Sequence, residues 1–346
     1  MKAFAIVFAG IGFAGLASFR APASAEPVEL PLRQTLVQGS PVYSVAVRVG
    51  SKLIETGVDT GSTGLRVLPN VLKATDAQAG QTPEVYFYGS GIKIDGVVGT
   101  AQIAFGSRAG PALIQMIRNV GCLERQPNCP FTHVGGIEHY GIMGQGVPDA
   151  GFKAIAGLRF APTPPGGPAN PLVQLGVGRF LIDLPRRGEK GRLVLDPAPE
   201  QTQNFVELPK AQDVFGTAQA NTVPGCLVNL TNNQSICGSM LLDTGAPGIS
   251  ANVPGGANAD WPPGTPGRIT FGDGHGHPLA SMDFTAGPAQ YAHVHVGGAP
   301  PDQPRAYMSI GVTPFLAFSV LYDATRRGIA LRPRPHAQGE PVGHVP

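Results

Sequence analysis

Two acidic triplets are the residues of this chain best suited to chemistry. They are Asp59-Thr60-Gly61 and Asp243-Thr244-Gly245, and each follows a short apolar run typical of a strand. Ordinary residue usage produces this triplet at roughly one position in several thousand, so two strand-borne copies indicate an internal duplication. Their long separation suits two similar halves placed face to face. Asp-x-Gly is also common in tight turns, which leaves a purely structural alternative.

Two carboxyl groups held within hydrogen-bonding distance can activate a water molecule. Both cannot be ionised together, so one proton is shared and the two pKa values move apart. The ionised member then takes a proton from water, which attacks a peptide carbonyl, while the protonated member donates to the carbonyl oxygen. We therefore expect Asp59 and Asp243 to be catalytic. The expected supporting residues are Thr60, Gly61, Ser62, Thr244, Gly245 and Ala246, with the two threonine hydroxyls bonding across to the opposite loop.

The elements that must position these triplets are predicted to be short strands. The chain of 346 residues contains 48 glycines and 35 prolines, which interrupt helices and favour tight turns. Alternating or apolar runs predict strands at 43–49, 52–58, 65–68, 85–88, 92–105, 179–184, 192–195, 226–230, 239–242, 268–271, 291–296, 318–322 and 329–332. Short helices are predicted at 69–74, 170–177 and 313–317. The fold class is therefore expected to be all-β.

The first 25 residues are predicted to be a secretory signal peptide. Lys2 precedes an apolar run over 3–19, and Ala23-Ser24-Ala25 offers a small-residue cleavage site. An uncleaved membrane anchor is the alternative. Loss of Lys2 and Arg20 would cancel the formal net charge of +2, which leaves no electrostatic case for binding nucleic acid or an anionic membrane. We expect an exported chain, periplasmic or secreted, with no membrane contact after cleavage.

The four cysteines form two close couples, Cys122 with Cys129 and Cys226 with Cys237. In an oxidising compartment such couples indicate two loop-closing disulfides, with zinc as the alternative. His275 with His277 and His293 with His295 are two His-x-His pairs that could face one metal ion. No carboxylate or cysteine motif accompanies them, so exposed loop and strand residues are the preferred interpretation. No metal and no cofactor are expected.

The chain resembles the pepsin-like aspartic peptidases well beyond the two triplets. Tyr88-Gly89-Ser90-Gly91, followed by the strand at 92–105, is similar to the flap that covers the substrate in that family. The segments 141–144 and 308–311 resemble the apolar stretches behind the two aspartates, and 179–195 resembles a closing hairpin. The resemblance implies a bilobal fold with a central cleft. On this basis we expect the chain to divide into a lobe at 26–178, an inter-lobe hairpin at 179–199, a lobe at 200–335 and a loose tail at 336–346.

Some positions depart from the family pattern. Ala246 stands where a hydroxyl residue is frequent, Pro247 removes a backbone N–H, Arg66 replaces a common tryptophan, and Val312 stands where an aspartate is frequent. Two hypotheses follow. The first is a monomeric aspartic endopeptidase acting on peptides or unfolded proteins. The second is a binding or inhibitor protein that has the same scaffold with weak or no turnover.

Overall fold

The computed structural model describes residues 26–161, 163–186, 189–211, 221–272, 278–299, 305–335 and 339–345. The predicted signal segment 1–25 and the pair His275 and His277 lie outside these ranges. Within them the chain is mostly β-strand, which confirms the all-β class. None of the helices found there has the length and hydropathy needed to cross a membrane.

The described residues contain two large sheets. The first sheet has thirteen strands in the order β11-β21-β20-β9-β10-β1-β2-β3-β8-β4-β7-β6-β5, and the second has nine in the order β15-β18-β14-β19-β13-β12-β16-β17-β22. Their bounds are β1 Val28–Val37, β2 Ser40–Val49, β3 Lys52–Asp59, β4 Thr63–Val67, β5 Ala77–Phe87, β6 Ile92–Phe105, β7 Arg108–Cys122, β8 Ala154–Leu158, β9 Arg179–Asp183, β10 Gly191–Leu195, β11 Val206–Leu208, β12 Thr222–Asn229, β13 Gln234–Leu241, β14 Ile249–Pro254, β15 Ala259–Asp260, β16 Pro266–Gly272, β17 Pro278–Thr285, β18 Val294–Ala299, β19 Ala306–Ser309, β20 Phe318–Asp323, β21 Gly328–Pro333 and β22 Val342–His344.

Alternating side chains explain why β2 forms where it does. Tyr43, Val45, Val47 and Val49 are all buried in the main core, whereas Arg48 on the opposite face is exposed. The period-two pattern is clearest at this end of β2, because Val42 and Ser44 on the opposite face are buried too, Val42 in a second, smaller core cluster. The core is a continuous cluster that draws on both sheets, from Val58 in the first to Leu242 beside the second.

The two triplets lie in matching strand arrangements. In the first sheet, β3 is parallel to β8, β8 is antiparallel to β4, and β4 is parallel to β7. In the second sheet, β13, β19, β14 and β18 repeat the same sequence of parallel, antiparallel and parallel pairings. The duplication seen in the triplets therefore extends to the topology that surrounds them.

This topology corrects one detail of the sequence analysis. The segment paired behind Asp59 is β8, in which Gly157 is opposite Asp59, and not 141–144. Met143 of the predicted segment instead contacts the strand from the side, since a Cβ built on Gly57 would lie 2.8 Å from its Sδ. In the second half the predicted segment is the paired one, because Ser309 is opposite Leu241.

The helices are short. α1 (Pro171–Gln174) begins after Asn170, whose Oδ1 accepts from the N–H groups of Leu172 and Val173 while its Nδ2 donates to the Leu158 carbonyl at 2.6 Å. α2 (Thr313–Ala317) is buried along its whole length. The helix predicted at 69–74 is wrong, because this stretch is a series of turns and Asp76 caps it by accepting from Lys73 N–H. Further 3₁₀ turns lie at Pro130–His133, Pro199–Thr202 and Pro288–Gln290.

Both predicted disulfides are present. Cys122–Cys129 closes a loop after β7, and Cys226–Cys237 joins directly opposed residues of β12 and β13. Such bonds are typical of an oxidising, extracellular environment. The loose tail predicted at 336–346 is wrong in part, because β22 pairs with β17 through Val342 opposite Asp283. The sequence prediction missed short strands such as β8 and β19, and it also missed the ten-residue β1 and the fifteen-residue β7.

The β9–β10 hairpin is secured by one carboxylate between two arginines. Glu189 accepts hydrogen bonds from Arg186 Nη2 at 2.6 Å and from Arg334 Nη2 at 2.7 Å. Both arginine side chains are almost wholly buried, at 1% and 5% exposure. The hydrogen bond from Arg186, followed by that from Arg334, lowers the pKa of Glu189 to about 2.

Glu189→Gln is expected to lower the free energy of unfolding at neutral pH by about 1–3 kcal/mol, because it leaves two buried cations without a counter-charge. The effect is kept to this range because the Glu189 side chain is partly exposed and solvent screens its charge. The depressed folded pKa means that this contribution is present above the ordinary value of 4.5 and fades as pH falls towards 2. Urea denaturation across acidic to neutral pH measures it, with the exposed Glu200→Gln as control. A deficit that stays constant down to low pH would contradict this role.

Candidate active site

The two Asp-Thr-Gly turns meet at the junction of the two sheets. Asp59 ends β3 and Asp243 follows β13, so each acid is presented at the tip of a strand. Thr60 Oγ1 donates to the Leu242 carbonyl at 2.8 Å and accepts from Thr244 N–H at 3.0 Å. Thr244 Oγ1 donates to the Val58 carbonyl at 2.8 Å and accepts from Thr60 N–H at 3.0 Å. These four bonds are the cross-loop contacts expected from the sequence.

Each glycine of the triplets lies against the carboxyl group of the opposite triplet. A Cβ built on Gly245 would stand 2.6 Å from Asp59 Oδ1, and one built on Gly61 would overlap the Asp243 carboxyl group. Any larger residue at either position would therefore collide with the opposite acid. The two carboxyl groups are close enough to interact, and their separation depends on the absence of these side chains.

Backbone N–H groups hold each carboxylate in place. Asp59 Oδ1 accepts from Gly61 N–H at 2.7 Å and from Ser62 N–H at 3.2 Å. Asp243 Oδ1 accepts from Gly245 N–H at 2.8 Å, and its Oδ2 accepts from the Ser309 hydroxyl at 3.3 Å. The glycine of each triplet therefore donates its N–H to the acid of its own triplet, and its lack of a side chain leaves room for the acid of the opposite triplet.

One carboxyl group of the pair favours its protonated form. Desolvation, followed by the negative charge of Asp59, raises the pKa of Asp243 well above its ordinary value of 3.8. The bonds from Gly245 and Ser309 oppose this shift but are smaller causes. Asp59 is buried at 5% exposure and Asp243 is partly buried. Two adjacent acids that share a proton can hold and polarise one water molecule.

Asp243→Asn is expected to raise the free energy of unfolding at neutral pH by about 1–3 kcal/mol. The folded chain binds the Asp243 proton more tightly than the unfolded chain does, so the stability of the natural protein falls as pH rises above 3.8, and a neutral side chain avoids this loss. Denaturation at several pH values measures the difference, which is expected to vanish in acid. Asp283→Asn is the control of opposite sign, because Arg268 lowers the pKa of Asp283. A destabilised Asp243→Asn at neutral pH would contradict the raised pKa.

The β5–β6 hairpin brings two tyrosines towards Asp59. The turn Tyr88-Gly89-Ser90-Gly91 closes it with Gly91 N–H donating to the Tyr88 carbonyl at 3.0 Å, and Gly91 takes a positive φ of 84°. Gly89 and Ser90 are exposed at the tip. The rings of Tyr86 and Tyr88 contact each other edge to face at 5.1 Å, and the charge of Asp59 raises the pKa of both, after the larger effect of burial.

Arg66 takes a supporting position beneath this hairpin. Its guanidinium carbon lies 3.5 Å from the centroid of the Tyr86 ring, a cation–π contact, and the residue is 1% exposed. The Tyr88 hydroxyl is buried, and no hydrogen-bond partner for it is found among the described residues. Arg66, which stands where a tryptophan is common in the family, thus makes its cation–π contact with Tyr86, two residues before Tyr88, the predicted flap tyrosine.

The serine assigned to Asp59 does not act through its hydroxyl. Ser62 contacts Asp59 through its backbone N–H, while its buried Oγ lacks a partner in the described part of the chain. The acid that receives a serine hydroxyl is Asp243, from Ser309 on β19. Asp243 thus has a hydroxyl neighbour although Ala246 stands where a hydroxyl residue is frequent. The signal for Ser309 was its place in the segment 308–311, directly behind the second acid.

The remaining departures lie around the second triplet. Ala246 N–H donates to the main-chain carbonyl of Asp243 at 3.3 Å, so this residue helps to form the turn without touching the carboxylate. Pro247 is exposed next to it. Val312 is fully buried and precedes α2, where it packs in the main core. Tyr86 could have been found from the sequence, since period-two spacing places it on the same strand face as Tyr88.

The described histidine pair makes a local contact with one aspartate. His295 Nδ1 is 2.7 Å from Asp260 Oδ1, in directly opposed strands, and His293 is further from the same oxygen at 4.0 Å. All three side chains are about half exposed. A search of the described residues finds no group of three or more histidine, cysteine, aspartate or glutamate side chains with the geometry to hold a metal.

Comparisons with known proteins add no assignment. No family model matches the chain, and no curated protein is significantly similar to it.

Proposed function

We propose that this chain is an aspartic-type endopeptidase with a bilobal, pepsin-like fold. The observation that carries the proposal is the reciprocal contact of the two triplets, in which each threonine binds the opposite loop and each glycine faces the opposite carboxyl group. An ordinary turn aspartate needs neither a second copy nor this reciprocity. The matching strand arrangement around each acid supports the two-lobed form.

In the proposed reaction the roles of the two acids differ. Asp59, which accepts two backbone N–H bonds, is the ionised member and removes a proton from the bound water. The resulting hydroxide attacks the peptide carbonyl carbon, and Asp243 gives its proton to the carbonyl oxygen. The tetrahedral intermediate then breaks its C–N bond: the proton now on Asp59 goes to the leaving nitrogen, and one hydroxyl of the intermediate returns a proton to Asp243 as the carboxylic acid forms. No metal and no covalent intermediate is needed.

The position of the β5–β6 hairpin gives the proposed site its substrate class. Tyr86 and Tyr88 face the neighbourhood of Asp59 from one side, and the hairpin tip is exposed. An extended peptide lying between the hairpin and the two triplets would have its backbone close to both acids. We therefore infer peptides and unfolded proteins as substrates, acted on outside the cytoplasm.

The second candidate is a binding protein with the same fold and no turnover. Pro247 lacks a backbone N–H beside Asp243, and the hydroxyl of Tyr88 has no partner among the described residues. Both observations favour a site less complete than that of an efficient enzyme. Retention of both acids, together with the raised pKa of Asp243, favours the enzyme.

Incubation of the purified chain with unfolded protein substrates, from acidic to neutral pH, separates these candidates. The endopeptidase is expected to cleave them, and pepstatin, a peptide inhibitor of aspartic peptidases, is expected to stop the cleavage. Pepstatin binding without cleavage of any substrate would instead support the binding protein. Cleavage that a metal chelator stops and pepstatin does not would overturn the proposed mechanism.

A further inference from the structure

A buried positive charge with no carboxylate in direct contact lies next to the two triplets. Arg66 is on β4, which begins four residues after Asp59 in the chain. It is 1% exposed and the largest of the fully buried side chains. Its Nη1 donates to the Gly64 carbonyl at 3.2 Å, and its Nε has no partner within the described ranges. No acidic side chain in those ranges comes within ion-pair distance of Arg66, but its charge acts at longer range on Glu84 of β5, whose pKa burial raises and Arg66 partly lowers again.

Such a charge is costly unless something compensates it. A guanidinium removed from water loses several kcal/mol of hydration, which is why buried arginines are normally paired with a carboxylate. Arg186 and Arg334 elsewhere in this chain follow that rule through Glu189. Arg66 has the face of the Tyr86 ring instead, a weaker partner for a cation than a carboxylate.

A second unpartnered donor lies in the same region. The buried Tyr88 hydroxyl has no partner in the described residues, and the charges of Arg66 and Asp59 both act on it. Arg66 Nε and the Tyr88 hydroxyl are both able to donate to the same kind of ligand, one rich in acceptor oxygens. A carboxylate supplies such oxygens and a negative charge in direct contact with the guanidinium, which neither Glu84 nor Asp59 provides at ion-pair distance.

The region can be reached if the hairpin moves. β5 is the last strand of its sheet and pairs only with β6, and most of its residues are exposed. Tyr86 and Tyr88 belong to this hairpin or its turn, so lifting it would uncover Arg66 from the side of Asp59. A strand held by a single neighbour with few buried side chains opens at low cost in free energy.

We propose that Arg66, with the Tyr88 hydroxyl, binds the carboxylate of an aspartate or glutamate side chain in the substrate, close to the bond that is cleaved. This specificity site rests on the proposed function, because it places the peptide at the two triplets. The chain would then select acidic peptides.

The test is direct binding of peptides that cannot be cleaved. Matched peptides with a reduced amide bond at the scissile position carry glutamate or glutamine at each neighbouring position in turn, and calorimetry at neutral pH gives their dissociation constants. The natural chain is expected to bind glutamate about tenfold or more tightly than glutamine at one position. Arg66→Gln is expected to remove that ratio, and Arg66→Lys to keep part of it. Arg48→Gln, on the exposed face of β2, is the control that leaves it unchanged.

Several outcomes would overturn the site. If the natural chain binds the glutamate and glutamine peptides equally at every position, the proposal fails before any variant is tested. An unchanged glutamate-to-glutamine ratio in Arg66→Gln would also overturn the site. A loss of affinity that is equal for both peptides would do the same, because it would show that Arg66 only supports the hairpin. If Arg66→Gln does not fold, Tyr88→Phe provides the second variant and is expected to lower the ratio by about threefold. Failure to hydrolyse the cleavable forms would count against the peptidase function, while the binding ratio would still test Arg66.

Discussion

Asparagine in place of Asp59 or of Asp243 is expected to lower kcat/KM for peptide hydrolysis by at least about a thousandfold. A neutral amide at the first position could not remove a proton from water, and one at the second could not give a proton to the carbonyl oxygen. Because the two acids work as one unit, the double variant is expected to be hardly worse than either single variant. Hydrolysis of one fluorogenic peptide by all three variants measures these effects.

Folding controls make that comparison decisive. Asparagine is close in size to aspartate and can still accept the backbone N–H bonds that Gly61 and Gly245 donate. Asp149→Asn, at an exposed site, is the matched control and is expected to retain full activity. A folded Asp59→Asn or Asp243→Asn variant with near-natural turnover would refute the assigned roles.

Thr60→Val is expected to lower the free energy of unfolding by about 2–4 kcal/mol. Valine keeps the shape of threonine but removes the hydroxyl, so the Leu242 carbonyl and the Thr244 N–H lose their partner in a buried place. The carboxyl groups then lose their fixed separation, and activity is expected to fall as well. Denaturation by urea and hydrolysis of the same fluorogenic peptide measure the two effects.

The serine variant isolates the hydroxyl from the methyl group. Thr60→Ser retains both hydrogen bonds and is expected to lose much less stability than Thr60→Val. Thr244→Val is expected to behave like Thr60→Val, and the double variant to cost less than the sum, since both residues belong to one network. Additive and small effects would mean that the cross-loop bonds contribute little to the joining of the two triplets.

The triplets and their cross-loop threonine bonds were predictable from the sequence because the signal is local. Asp-Thr-Gly after a strand specifies a turn, a carboxylate and a hydroxyl within three residues. The disulfides followed equally from short spacing. Strands such as β2 were predictable because apolar residues recur at every second position, which places them on one face of the strand.

The partners that come from distant parts of the chain were harder to predict. Ser309 reaches Asp243 through the parallel pairing of β13 with β19, and β8 reaches Asp59 through a pairing across nearly a hundred residues. Nothing local in Ala154–Leu158 separates it from the similar apolar stretch at 141–144. The contact of Arg66 with Tyr86 likewise depends on how the hairpin lies over β4, which residue types alone do not specify.

The central claim is that Asp59 and Asp243 hold one proton between them, and infrared difference spectroscopy tests it most directly. Spectra of the natural chain minus those of Asp243→Asn, recorded in mildly acidic to neutral buffer, report whether a carboxyl group is protonated where ordinary aspartates are ionised. The account predicts a protonated-carboxyl band that persists well above pH 3.8, the ordinary value for aspartate, and disappears at alkaline pH. A spectrum that shows only ionised carboxylates throughout that range would contradict it.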